Sequence, residues 1–203
     1  MRALALVCAC VAAAVTAQAA RADGDPASDY LLGSRVFLPY DAKFPAKQSA
    51  ELTALVAAAN TAGYTIRVAV IWSAYDMGSV TTLWRKPRTY AKFLGLELGF
   101  VYKERLLVVM PNGLGFNWPR HSPAPAYALL SKIAVPPGAT GLLNAAEDAV
   151  TKLAAAAGVR VAPPARVTTP GQRNAHDRQV ILAAALGLLA LAAAARYLIR
   201  RRR

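Results

Sequence analysis

The sequence predicts an α/β fold: a single α/β sandwich domain with a small, mostly parallel sheet, plus one C-terminal transmembrane helix. Three observations predict it. Two short, almost continuously apolar segments, Thr65–Trp72 and Arg105–Met110, have the composition of buried parallel strands. Three longer segments around them repeat apolar residues at helical spacing. An unbroken apolar run, Val180 to Ala195, stands just before the arginine-rich end of the chain.

In chain order, Ser34–Leu38 reads as a short strand or extended entry, ended by Pro39. Pro45–Ala62 is a helix with Leu52, Leu55, Val56 and Ala59 on one face, and Gly63 is its stop. Thr65–Trp72 follows as a central strand. Pro87–Leu98 is a second helix, with proline in its first turn and Tyr90, Phe93, Leu94 and Leu98 inward. Arg105–Met110 is the second central strand, stopped by the Pro-Asn-Gly turn at 111 to 113. Gly141–Ala157 is a third helix with Leu142, Ala146, Val150 and Leu153 inward, and Val159–Val161 is expected as a final edge strand. Residues 111–136 leave three readings open: a hairpin, a long loop, or a strand at Ala134–Val135.

The two ends set the expected topology. Met1-Arg2, the apolar stretch Ala3–Val15 and two A-x-A sites ending at Ala19 and Ala22 make residues 1–22 a secretory signal peptide. Cys8 and Cys10 fall inside its apolar stretch, so residues 23–161 hold no cysteine, disulfide or thiolate nucleophile. Residues 162–178, with three prolines and no apolar period, read as a linker. The membrane helix is expected over 179–199; about 20 apolar residues rise roughly 30 Å, enough to cross a bilayer. Arg200 to Arg203 hold the tail in the cytoplasm, and Arg196 snorkels one turn from that end. The expected address is the bacterial plasma membrane, with the domain extracytoplasmic and the C-terminus cytoplasmic. Ala183 and Gly187 have the small-x-x-x-small spacing of a helix dimer, although an alanine-rich helix produces such pairs by chance.

The formal net charge of +13 is largely topological. Without Arg2, Arg21, Arg196 and Arg200 to Arg203, 17 cationic side chains face 11 acidic ones. A nucleic-acid partner does not follow from that balance. With only His121 and His176 left, a histidine zinc site is not expected, and no Gly-x-Ser-x-Gly elbow marks a serine hydrolase.

Three groups of residues are candidates for function. Asp76, in the loop after Trp72, would sit where ligands gather in an open α/β sheet. No cofactor is expected there; the metal those residues could accept is a hard cation, Ca2+ or Mg2+, on Asp76 with Asp41 and Glu97. The competing reading is an Asx-type turn in which Asp76 caps backbone amides and Gly78 supplies an unusual φ. Asn112, Gly113 and Gly115 have bare amides suited to an anion, or simply turn the chain between strands. Trp84, Arg85, Lys86, Arg88 and Lys92 form the densest basic-aromatic cluster, suited to an acidic partner or anionic headgroups. Trp118 reads equally as a contact residue or a lid over the core.

Three stretches, Gly63–Ile71, Tyr90-Ala-Lys-Phe-Leu94 and Lys103–Met110, resemble the helix end, the "YA..L" helix and the buried strand of the TPM-domain family. The resemblance spans roughly residues 30 to 158. It implies an α/β domain of bacterial envelopes or the thylakoid lumen, acting as an accessory factor for membrane complexes or as a metal-dependent acid phosphatase. The family's acidic, glycine-rich "GYGLE" stretch is replaced here by Asn112–Pro119, and no carboxylate lies between Glu104 and Glu147. That departure favours the accessory role, with an envelope protein as the expected partner.

Overall fold

The computed structural model describes residues 24–161. The expected signal peptide, the expected linker and the expected membrane helix with its anchors Val180, Ala195, Arg196, Arg200 and Arg203 lie outside the described residues. Among the described residues no helix is long and apolar enough to cross a membrane.

The elements are α1 (Pro26–Gly33), β1 (Val36–Phe37), α2 (Ala46–Thr61), β2 (Ile66–Val70), α3 (Pro87–Glu97), β3 (Arg105–Met110), β4 (Gly113–Asn117), α4 (Ala124–Leu130) and α5 (Ala139–Ala156). Short 3-10 segments cover Tyr40–Ala42, Ala74–Leu83 and Leu98–Phe100. The four strands lie side by side in chain order. β1 pairs parallel with β2, β2 parallel with β3, and β3 antiparallel with β4. The expected α/β class with a small, mostly parallel sheet is therefore present.

Alternation along the strands divides the core in two. Ile66, Val68 and Val70 of β2, with Leu107 and Val109 of β3, face α2 and α5. Ala69, Ile71, Leu106, Val108 and Met110 face α1 and α3. Each fully buried Val, Leu or Ile contributes about 1.5–3 kcal/mol, against at most about 1 kcal/mol for an exposed ion pair such as Lys152–Asp148. Apolar burial on both faces therefore holds the sheet.

The helices bury the stripes their spacing predicts: Leu52, Leu55, Val56 and Ala59 on α2, and Leu142, Ala146, Val150 and Leu153 on α5. α2 ends with Gly63 at φ 93°, where the Tyr64 amide reaches back to the Ala59 carbonyl at 2.8 Å. On α3, Tyr90 and Leu94 are buried, while Phe93 is only half-buried against the second core.

Three differences from the sequence expectations have physical causes. α1 was not expected; it is eight residues long, too short for a helical period to show, and starts from an Asp25 cap and Pro26. Of the three readings of 111–136, the chain takes the hairpin: Met110 pairs with Gly113, leaving Pro111-Asn112 as the turn, and α4 follows. Val159–Val161 is not an edge strand. The Val159 amide returns to the Ala154 carbonyl at 2.9 Å, and the segment folds back against the first core.

Candidate functional site

Asp76 sits in the 3-10 segment that follows β2, and it is buried. Its Oδ2 accepts the Trp72 amide at 2.8 Å and the Ser73 amide at 2.6 Å. Those bonds stop the strand and start the 3-10 turn, as the capping reading expected. Gly78 has φ 54°, and a Cβ there would overlap the Gly24 carbonyl oxygen, so this turn and the start of the domain meet backbone to backbone. Asp41 lies exposed in the Tyr40–Ala42 turn and Glu97 exposed at the end of α3. Among the described residues no three His, Cys, Asp or Glu side chains form a group able to hold a metal ion.

The basic cluster and the glycine turn, separate in sequence, are neighbours in space. Lys86, Arg88 and Thr89 at the start of α3 face Asn112 and Gly113 of the hairpin turn across a groove of about 490 Å³, which α4 closes with Tyr127. The Asn112 side chain donates to the Arg85 carbonyl at 2.6 Å, tying the turn to the residue that introduces the helix. Arg85 itself is left-handed, at φ 59°. The Arg88 guanidinium lies 4.3 Å over the Tyr127 ring.

Gly115 explains how the groove is built. A Cβ at Gly115 would overlap the Pro87 carbonyl oxygen, so the absence of a side chain lets the first turn of α3 rest on β4. Gly115 is thus packed beneath the groove instead of lining it. Trp84 is half-buried against the second core, and Lys92 stands exposed further along α3, outside the groove.

The groove suits an anion. No carboxylate is among its lining residues. Pro87 at the first position of α3 has no amide hydrogen, and no side chain caps the helix. The Tyr90 amide is satisfied by the Lys86 carbonyl at 2.9 Å, whereas the Arg88 and Thr89 amides precede the first intrahelical bond. Two cationic residues and the uncapped first turn of α3 therefore line one concave surface.

One buried polar pair was not foreseen. The Tyr90 hydroxyl stands 2.8 Å from both carboxylate oxygens of Asp25, which also accepts the Ala27 amide at 3.1 Å. Burial pushes the Asp25 carboxyl up to about 6, against the lowering effect of the Tyr90 and Ala27 hydrogen bonds. The same desolvation, and then the nearby Asp25 charge, raises Tyr90. The one sequence signal was the Asp25-Pro26 helix start; its partner lies 65 residues away.

At the opposite end of the strands, Arg105 lies between the rings of Tyr64 and Trp118, at 4.4 and 3.8 Å, and His121 stacks on Trp118. Trp118 is half-buried and packed on the first core, so it serves as a lid. No family model matches the chain, and neither the curated proteins nor the solved structures contain a significant match to it.

Proposed function

We propose that this chain is a membrane-tethered, extracytoplasmic interaction domain of TPM type. In this reading it assists an envelope protein complex without catalysing a reaction of its own. The observation that carries the reading is the convergence of Lys86, Arg88 and the Asn112-Gly113 turn on one groove that has no acidic lining residue. Such a groove fits an acidic segment of a partner protein. Exposed charge pairs contribute about 0.2–1 kcal/mol each, so the contact is weak, reversible and sensitive to salt. A tether offsets that weakness by raising the local concentration of domain and partner in one membrane.

The test is cross-linking of the full-length chain in its native membrane, with and without the double substitution Lys86→Glu and Arg88→Glu. The reading expects one reproducible envelope partner that the double variant loses at unchanged thermal stability. A partner retained by the variant refutes the groove as the contact. Binding of the purified chain to phosphatidylglycerol vesicles with no protein partner would assign the groove to headgroups instead.

A further inference from the structure

The opposite edge of the sheet carries a second surface. β1 has only two residues, paired to Val68 and Ala69 of β2. The Val68 amide donates to the Arg35 carbonyl at 2.9 Å, which turns the N–H and C=O of Val36 away from β2. Among the described residues no strand lies on that side.

A groove of about 750 Å³ runs along this edge. Its far wall is α2, which presents Ser49, Ala50, Thr53 and Ala57, all small, toward the edge. From Ser49 to Asn60, α2 rises about 16 Å. That matches roughly five residues of extended chain at about 3.3 Å each. Arg35 and Arg67 line the groove, and no carboxylate does. The Arg67 guanidinium carbon lies 4.0 Å from the centre of the Tyr102 ring, its Nη2 donates to the Leu32 carbonyl at 3.5 Å, and its Nη1 is buried with no hydrogen-bond partner.

We propose that this edge is a docking slot for an extended, carboxylate-bearing segment of a partner protein, which adds as a strand beside β1 with its carboxylate toward Arg35 and Arg67. Main-chain bonds to Val36 supply affinity, and the two arginines select sign and register. Charge decides against two other occupants. The chain's own 162–178 segment carries Arg166, Arg173 and Arg178 against the single Asp177, and three prolines that cannot donate to a ladder. A second copy paired edge to edge would set Arg35 and Arg67 against their own equivalents. The slot is separate from the Lys86 and Arg88 groove, so its failure would leave the proposed function standing.

The test displays short random peptides against the full-length chain in detergent, with counter-selection on the Arg35→Glu variant. Enriched peptides are expected to carry Asp or Glu at a fixed position. Amide exchange at Val36 should slow when they bind. Methylating alternate backbone nitrogens of the peptide, or blocking the slot with Thr53→Trp on the exposed side of α2, should each weaken binding about tenfold or more. The double substitution Lys86→Glu and Arg88→Glu should leave it unchanged. Absence of enrichment, enrichment without acidic residues, or insensitivity to backbone methylation would overturn the proposal. Displacement by inorganic phosphate without protection at Val36 would also overturn it, reducing the slot to a small-anion site.

Discussion

The two edges of the sheet are finished differently. At the β4 edge the Tyr127 hydroxyl of α4 accepts the Phe116 amide and donates to the Phe116 carbonyl, both at 3.0 Å. One side chain thus occupies the outward donor and acceptor of Phe116, next to the end of β4. At the β1 edge the outward groups of Val36 face a groove, and the flanking α2 side chains are small. Exposed edges invite pairing with other chains, so proteins shorten, charge or cover them. β4 is covered; β1 is short and flanked by arginines. A covered edge is finished structure, whereas a short charged edge admits a chosen partner.

The largest expected effect breaks the covered side. Gly115→Ala drives a methyl group into the Pro87 carbonyl, so α3 must lift from β4 or the hairpin must bend. The cost is expected at about 3 kcal/mol or more, read from chemical denaturation, with loss of groove binding and no change at Val36. Next comes Asp25, which ties the start of α1 to α3. Its folded value of about 6 lies above the ordinary 3.8, so the fold favours the protonated acid. Its stabilisation is full below about pH 4 and is lost as pH rises through 6, an effect on the order of 2 kcal/mol. The melting temperature should therefore fall between pH 4.5 and 7 through this group, and Asp25→Asn should reduce that slope. Glu147, raised by burial and then by Glu51, slopes the same way, so some of the dependence persists in the variant.

Tyr127→Phe removes both Phe116 bonds but keeps a ring under Arg88. It is expected to cost about 1–2 kcal/mol, to accelerate amide exchange at Phe116, and to make β4 resemble the open edge. Asp76→Ala serves as a control lying between the edges. Loss of its two amide contacts should cost about 1 kcal/mol without altering exchange at Val36 or Phe116. The smallest effect on stability is Arg35→Ser, expected within about 0.5 kcal/mol of wild type. If the edges differ as described, it abolishes peptide capture while barely moving the denaturation midpoint.

What could be read from the sequence followed local physics. β2 and β3 are apolar on both faces because both faces are covered, and α2, α3 and α5 show their inward stripes at helical spacing. The alternative capping role for Asp76 was also legible, since a carboxylate three residues into a turn has amides within reach. The pairings that span the chain were not legible. Lys86 and Asn112 share a groove only because Gly115 lets α3 settle on β4. Asp25 meets Tyr90 only once α1 packs on α3. The Val36 edge is open because β1 runs first in the sheet, a fact of topology and not of composition.

That strand order also bears on how the molecule assembles. Every strand is hydrogen-bonded to the one that follows it in the chain, and β3 meets β4 across a two-residue turn. Loop-closure entropy grows with the logarithm of the intervening length, so the hairpin is the least costly sheet contact to close. The two parallel pairings close across longer connections of similar length, and β1 offers only two paired positions against five between β2 and β3, so β1 gains least from closing and joins last. Rate measurements on conservative core substitutions should find Val109 and Leu114 engaged early in the folding barrier and Val36 late. The open edge would then be the last part of the sheet to form and the first to fray.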